Sequence, residues 1–527
     1  MGKEPRNTRN THTKRIHGMK ISQVKISNFR GYKDETTIDF NDLTVFVGKN
    51  DVGKSTVLEA LDVFFNEGKG VIRLDKEDIN KQGLAEDDKD IRIAVVFEGL
   101  PTNLVLDSTN KTTLQDEYLL NSSGKLEIVK TYPNAGKEKV SVKANHPSNP
   151  ACADLLLKKQ KDLQTIIKND TISRDDEKKN AVMRKAIWAH YANDLQLGEV
   201  EIDVTKEDAK NIWDQLKNYM PLYSLFQSDR KNSDGDSEIQ DPMKLAVQEI
   251  LKDSSIQTSL NQIAAEVDSK LKEVADRTLE KLKEMNPEVA NSLNPVIPSA
   301  ESLKWSDVFK NVSISGDDDI PINKRGSGVK RLVLLNFFRA EAERRKMEKN
   351  VPDIIYAIEE PETSQHPDHQ KKLIDAFIEL SKSQHTQILL TTHSPAIVKM
   401  LDFEHLKLIK GRQIKEVVTV ERHNLPYPSL NEVNFLAFNE SDDGYHNELY
   451  GYIESEGWLP EYKNGKPTQP YKKEQKGSDI EKPIVQSEYI RHQIHHPENT
   501  QNTKFTTQEL NHSIGEMRNF IVGKQNA

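Results

Sequence analysis

The residues best placed to carry out chemistry begin at Gly48. Residues 48–55 read Gly-Lys-Asn-Asp-Val-Gly-Lys-Ser, which fits the pattern G-x-x-x-x-G-K-[ST]. In such a loop the backbone N–H groups surround a polyphosphate, and here Lys54 would reach the β- and γ-phosphates. The Ser55 hydroxyl would be a ligand of Mg²⁺. The sequence therefore predicts that ATP and Mg²⁺ bind here, with the nucleotide contacted by Gly48, Asn50, Gly53, Lys54, Ser55 and Thr56.

The segments on either side of this loop favour a phosphate site over an ordinary Gly/Ser turn. Leu43–Val47 is a short apolar run that is typical of a buried strand. Residues 55–65 place apolar side chains at helical spacing, at Val57, Leu58, Leu61, Phe64 and Phe65. A strand, a glycine loop and a helix direct the helix N-terminus at an anion. This order predicts a nucleoside triphosphate site.

Paired carboxylates follow a second apolar run at residues 353–358. Opposite a phosphate loop, one acid is needed in the Mg²⁺ shell and one to orient the attacking water. We assign Glu359 to the metal and Glu360 to the water. A pair of exposed surface glutamates is disfavoured because the preceding residues read as a buried strand.

Two further segments add to the predicted site. Residues 387–392 read as another buried strand, and His393 at its end could bind the γ-phosphate and sense its loss. Ser327 and Gly328 open an amphipathic helix whose N-terminus would make a second anion site. Taken alone, the first is more often a structural histidine and the second a capping turn. Both assignments are supported by the order of the segments along the chain: the phosphate loop, the Ser-Gly helix start, the carboxylate strand and the histidine strand.

That order resembles the ATP-binding-cassette (ABC) ATPases of the SMC and RecF type. Residues 358–362 (Ile-Glu-Glu-Pro-Glu), residues 392–395 (Thr-His-Ser-Pro) and the opening residues 26–32 are similar to the overcoming-lysogenization (OLD) ATPases of prophage and island defence systems. The resemblance covers about residues 19–145 and 300–425. Glu359 departs from the Asp that is commoner in cassette ATPases, and the glutamine-loop residue is not identified.

The resemblance implies an α/β fold, an ABC-type P-loop NTPase head, and a mechanism that needs two heads. Ser327 and Gly328 of one subunit would complete the nucleotide site of the other, so ATP would hold a closed dimer until hydrolysis at Glu360 released it. We therefore expect a homodimer or a larger even oligomer. The resemblance also implies a sensor ATPase in bacterial anti-phage defence (abortive infection), whose ATP state gates a toxic nuclease.

Composition narrows the class of protein. The chain has 527 residues, which suggests several domains, and Cys152 as its only cysteine excludes a disulfide framework or a cysteine-based zinc site. No apolar run reaches the roughly 18 residues of a membrane span, so we expect a cytoplasmic protein with no membrane contact. The net charge of −9 leaves nucleic-acid binding to local basic patches.

The composition along the chain suggests five segments. These are a basic leader (1–18), a first ATPase lobe (19–150), a helical insertion forming a dimerisation hairpin (151–300), a second lobe (301–425) and an all-α C-terminal domain (426–527). The leader is disordered, precedes a true start at Met19, or serves as a nucleic-acid-binding arm. Within the insertion, an acidic loop at residues 228–241 is either a solvated linker or a cation site.

The C-terminal segment holds one further candidate site. Arg491 and His496 lie in a predicted helix and resemble the R-x₄-H motif of HEPN ribonucleases. A histidine can move the ribose 2′-OH proton and an arginine can stabilise a phosphorane, without a metal, on an RNA such as tRNA. About one such match is expected by chance in this composition. The alternatives are a tail that docks a separately encoded nuclease of HNH or Toprim type, and a RecF-like DNA-repair ATPase.

Overall fold

The computed structural model describes residues 18–49, 53–68, 70–101, 104–107, 110–173, 176, 178–227, 242–285, 338, 340, 353–363, 366–411, 415–420, 429–438, 441–475 and 478–525. Its strands are β1 Lys20–Ser27, β2 Thr36–Asp39, β3 Leu43–Val47, β4 Asp90–Glu98, β5 Leu104–Asp107, β6 Asn110–Thr112, β7 Leu126–Pro133, β8 Lys139–Pro147, β9 Leu197–Asp203, β10 Leu222–Phe226, β11 Ile354–Glu359, β12 Thr386–Thr392, β13 Leu406–Lys410, β14 Glu416–Thr419, β15 Thr468–Gln475 and β16 Ser478–Val485. Its α-helices are α1 Lys54–Phe65, α2 Lys81–Ala85, α3 Gln160–Asn169, α4 Asn180–His190, α5 Glu207–Tyr219, α6 Pro242–Lys252, α7 Ser254–Met285, α8 Pro367–Ser381, α9 Pro395–Val398, α10 Leu430–Phe438, α11 Asp443–Ser455, α12 Leu459–Lys463, α13 Gln486–His495 and α14 Thr507–Gln525. These elements form two large sheets and a mainly helical C-terminal region.

One large sheet is antiparallel, with the strand order β2-β1-β4-β7-β8-β9. Buried and less buried residues alternate along β8, as expected where one face of a sheet meets the core. Helix α1 packs between this sheet and the second one, and its apolar face joins a single core cluster with residues of both. The helix that follows the phosphate loop is therefore fixed on two sides.

The other large sheet is mainly parallel, with the strand order β10-β11-β12-β3-β13-β14 and only β14 antiparallel. Strands β3 and β12 are buried along their whole length, so neither shows the alternation of apolar and polar residues that marks a half-exposed strand. The carboxyl ends of β10, β11, β12, β3 and β13 lie at one edge. In open sheets of this kind ligands bind at that edge.

The predicted α/β fold with a phosphate-loop head is confirmed by the parallel sheet and the strand–loop–helix order around Gly53. The expected helical insertion at residues 151–300 differs from the structure. Strand β9 extends the antiparallel sheet and β10 extends the parallel sheet, so both belong to the head. Short strands with distant partners leave little local pattern. Helices α3, α4 and α5 of this segment join the core cluster of the antiparallel sheet, and α6 and α7 follow β10 as a further helical pair.

The C-terminal region is helical as predicted, except for one hairpin. Helices α11, α13 and α14 share a separate apolar core, but β15 and β16 pair from Thr468↔Val485 to Gln475↔Ser478. The expected all-α character of residues 426–527 therefore does not extend to this hairpin, because its proline and lysine residues suggested no strand. A two-stranded ribbon has no central strand, so prolines such as Pro470 and Pro483 are tolerated in it.

Some predicted features lie outside the described residues. These are the leader up to residue 17, the acidic loop at residues 228–241, Asn50, Ser327 and Gly328. Of the helices that are described, none has the length and apolar character needed to cross a membrane.

Candidate functional site

The phosphate loop is held in shape by its glycine, its lysine and one tyrosine. Gly53 precedes α1 at φ +100°, a conformation that costs glycine little. The buried Lys54 donates from Nζ to the carbonyl oxygens of Gly48 at 2.8 Å and Lys49 at 2.9 Å. From the antiparallel sheet side, the Tyr32 hydroxyl donates to the Gly53 carbonyl at 3.1 Å. The lysine ammonium is thus already directed into its own loop.

Glu359, at the end of β11, lies beside the first turn of α1. Burial raises the pKa of its carboxyl to about 7, and the negative charges of Glu59 and Glu360 act in the same direction. Hydrogen bonds from Gln227 and Ser55 oppose that rise of the pKa. Burial makes this carboxyl costly to ionise. A cation bound between it and the predicted Mg²⁺ ligand Ser55 would stabilise the ionised form.

Two buried oxygens, one on Glu359 and one on Gln227, which contacts Glu359, fit a cation site. Neither Oε1 of Glu359 nor Oε1 of Gln227 has a hydrogen-bond partner among the residues that the structure describes. Buried polar atoms are normally paired, and carboxylate, amide and hydroxyl oxygens are ligands that Mg²⁺ accepts. The donor set of Ser55, Gln227 and Glu359 therefore fits a magnesium ion.

Gln227 was not identified from the sequence. It follows β10, which pairs with β11 in parallel, so the sheet brings its side chain next to Glu359. The only local indication is an apolar run, Leu222–Phe226, that ends in a polar amide. This pattern indicates a site residue only in combination with the pairing of β10 and β11, which places the amide beside the carboxylate strand.

Glu360 and His393 lie together at the ends of β11 and β12. The backbone of Glu360 has φ +40°, a conformation that costs a residue with a side chain on the order of 1–3 kcal/mol. Its N–H donates to the Thr391 carbonyl at 3.0 Å, which holds this conformation. His393 Nδ1 is 3.1 Å from Glu360 Oε1, in a geometry that does not form a hydrogen bond. Both side chains are partly exposed at the sheet edge, as groups that contact a ligand must be.

Glu362 connects the two loops that carry these groups. This buried carboxylate accepts from the Thr392 hydroxyl at 2.6 Å and from the His393 N–H at 3.2 Å. The loop after β11 is thereby tied to the end of β12. Glu362 positions His393, a role that the sequence motif alone did not indicate.

The structure therefore brings most of the predicted head residues to one edge. Register places Thr391 opposite Glu359 and Thr392 opposite Val47, the residue before the phosphate loop. At this edge Gly48, Gly53, Lys54, Ser55 and Thr56 follow β3 or begin α1, and Glu359, Glu360 and His393 lie at the ends of β11 and β12. The arrangement can bind a polyphosphate and a divalent cation and present a carboxylate to a water molecule.

The two C-terminal candidates contact different parts of their region. Arg491 donates to Glu454 Oε2 at 2.8 Å, and its guanidinium lies 4.3 Å from the centre of the Tyr450 ring on α11. His496, just past the end of α13, has Nδ1 3.1 Å from Glu498 Oε1 and lies against His492. The predicted helix includes Arg491 but ends at His495, so His496 lies just outside it, and the two side chains have different partners. Five residues correspond to about 140° around a helix.

The comparison with protein-family models agrees with the head described above. A family model for an AAA ATPase domain matches residues 19–398. No curated protein sequence matches the chain. A solved Smc head domain with an extended coiled coil, derived from Pyrococcus furiosus and bound to the C-terminal domain of ScpA, is 13% identical, with 76% of this chain and 96% of that chain covered and a TM-score of 0.40. For the SMC head domain from Thermotoga maritima the identity is 14%, the coverages are 76% and 99%, and the TM-score is 0.29. The family match extends from β1 to the end of α9 and so encloses the whole candidate site.

Proposed function

The chain belongs to the family of AAA ATPase domains, and on that premise we propose that it hydrolyses ATP with Mg²⁺ bound by Ser55, Gln227 and Glu359. The observation that carries this proposal is a pair of buried oxygens, Oε1 of Glu359 and Oε1 of Gln227, that have no hydrogen-bond partner in the part of the chain that the structure describes. When bound, the cation would supply positive charge that neutralises the phosphate oxygens during transfer.

The remaining groups of the site have separate roles in this proposal. Lys54, whose ammonium donates to the carbonyls of Gly48 and Lys49 within the loop, binds the β- and γ-phosphates. Glu360 orients the attacking water and accepts its proton. His393 lies within reach of Glu360 and donates to the γ-phosphate, and Glu362 holds it there through the backbone.

Nucleotide binding tests the phosphate loop directly. Lys54→Ala should weaken ATP binding at least tenfold in calorimetric titration, because it removes a charge-assisted contact to the phosphates. Lys399→Ala is the matched control, since Lys399 pairs with Asp442 away from the loop. Equal ATP affinity in the wild type and Lys54→Ala would overturn the assignment of the loop.

We also propose that two heads act together, as the resemblance to cassette ATPases implies. Ser327 and Gly328 of one subunit would then bind the γ-phosphate held by the other, in a homodimer or larger even oligomer. Light scattering with a non-hydrolysable ATP analogue and Mg²⁺ should show association. A strict monomer that hydrolyses ATP at a rate per subunit unchanged by dilution would refute this arrangement.

The biological output that we propose is a nuclease gated by the ATP state, in bacterial anti-phage defence. Support comes from the resemblance of residues 358–362 and 392–395 to OLD-type ATPases and from the separately packed C-terminal region. Arg491 and His496 are the candidates for a ribonuclease site. Because Arg491 is held by α11 of its own chain, such a site would combine His496 with groups of a second subunit. A nuclease encoded separately and docked on this region is the alternative.

RNA cleavage separates these outputs. Activated wild type, incubated with total tRNA in EDTA, should give fragments with 2′,3′-cyclic phosphate ends, and His496→Ala should give none while ATP hydrolysis stays within about twofold. Lack of fragments with the wild type, or cleavage that survives His496→Ala, would exclude the intrinsic ribonuclease and favour a docked partner. DNA-dependent ATP hydrolysis without any nuclease would instead favour a RecF-like repair role.

A further inference from the structure

One carboxylate beside the proposed magnesium site has no role in the mechanism above. Glu59 lies on α1, one helical turn after Ser55, and its side chain is only 13% exposed. Its Oε1 accepts from Gln227 Nε2 at 3.3 Å, and its Oε2 accepts from Arg30 Nη1. A buried carboxylate close to Glu359 is unfavourable unless it is paired, and these two contacts pair it.

The contact to Glu59 fixes which end of the Gln227 amide faces the cation site. An amide has one donor end and one acceptor end, and here the donor end is bound by Glu59. The acceptor Oε1 must therefore point away from Glu59, and no hydrogen-bond partner for it occurs among the described residues. If the amide turned over, Oε1 would face the Glu59 carboxylate, and the N–H contact to Glu59 would be lost.

Arg30 holds Glu59 from the antiparallel sheet. Its Nε donates to Asp78 Oδ1 at 2.7 Å and its backbone N–H donates to the Asp78 carbonyl at 2.7 Å. Its own carbonyl accepts from Asn80 Nδ2 at 2.5 Å. These contacts keep Arg30 at φ +47°, a backbone conformation that residues with side chains seldom adopt. These contacts to Asp78 and Asn80 fix the position of Arg30 independently of its contact with Glu59.

We propose that Glu59, held by Arg30, is a positioning residue that orients the Gln227 amide for magnesium binding. The inference rests on the proposed function, because it assumes that Gln227 and Glu359 bind the cation. It adds that the metal site depends on a chain of contacts from the loop at residues 28–32 through α1 to the end of β10. Groups that orient metal ligands typically change metal affinity or activity by about 10–100-fold when removed.

The test is the Mg²⁺ affinity of full-length protein saturated with a fluorescent, non-hydrolysable ATP analogue. Glu59→Ala should raise the apparent Mg²⁺ dissociation constant about tenfold, whereas analogue binding in EDTA should stay within about twofold. Glu59→Gln should recover most of the loss, because its side-chain oxygen can still accept from Gln227. Arg30→Ala should weaken Mg²⁺ binding in the same direction.

The control is Glu86→Ala, which removes an exposed glutamate of the same lobe that pairs with Lys33. If the wild type itself binds the analogue equally well with Mg²⁺ and with EDTA, the proposed function fails. If the wild type needs Mg²⁺ and Glu59→Ala has the same Mg²⁺ affinity, only the positioning role is overturned. An equal loss of analogue binding in EDTA would make Glu59 a structural residue and would also overturn it.

Discussion

Replacing Glu359 by glutamine should stabilise the protein at pH 8 when nucleotide and Mg²⁺ are absent. The carboxyl has a pKa of about 7 in the folded protein, against an ordinary value of 4.5, chiefly because it is buried. Between these values the folded state binds more protons than the unfolded state, so the free energy of unfolding falls as the pH rises. This difference in pKa lowers the free energy of unfolding by roughly 3 kcal/mol above pH 7, and the effect is absent below about pH 4.5.

Glutamine matches the shape of the neutral carboxyl and cannot ionise. Glu359→Gln should therefore raise the melting temperature by roughly 5 °C at pH 8 and leave it nearly unchanged at pH 5. Addition of Mg²⁺ with a non-hydrolysable ATP analogue should reduce or reverse this difference in melting temperature between the variant and the wild type, because the wild-type carboxylate can then pair with a cation. The exposed Glu404, changed to glutamine, is the control for loss of one negative charge.

The measurement is the midpoint of thermal unfolding of both variants at pH 5, 6, 7 and 8. The reasoning is refuted if the wild type and Glu359→Gln melt with the same separation at all four pH values. It is also refuted if Glu404→Gln gives the same pH-dependent gain, because then general charge and not burial of one carboxyl would be responsible.

Three further predictions concern groups that the structure ties together. Glu360→Gln should keep ATP binding while lowering kcat by about 100-fold or more, as seen by comparing calorimetry with single-turnover hydrolysis; an unchanged kcat would remove Glu360 from the mechanism. Glu362→Ala should lower kcat about tenfold with little change in KM, because it releases the His393 backbone, and a raised KM at constant kcat would contradict a positioning role. Glu117→Ala should destabilise the protein by about 3–5 kcal/mol in urea unfolding, since it leaves the fully buried Arg184 without its two-bond partner; a loss under 1 kcal/mol would show that water or a neighbour replaces the carboxylate.

The sequence by itself determined the chemical groups of the ATPase head. The phosphate loop, the strand ending in Glu359 and Glu360 and the strand ending in His393 are each contiguous in sequence, so their patterns are complete within about ten residues. Buried parallel strands leave uninterrupted apolar runs, and a functional residue directly after such a run must lie at the carboxyl edge of the sheet. These features predicted both the fold class and most of the site.

Only the tertiary structure decided which distant residues complete that site. Gln227 and Glu59 carry no motif, and they meet because β10 pairs with β11 while α1 packs beside both. The same holds for β9 as an added strand of the antiparallel sheet and for the hairpin of β15 and β16. Strand pairing depends on backbone hydrogen bonds between segments far apart in the chain, and backbone groups are the same in every residue but proline. The assembled sheet therefore determines which side chain lies next to which across such a pairing, and the neighbouring residues in the sequence do not.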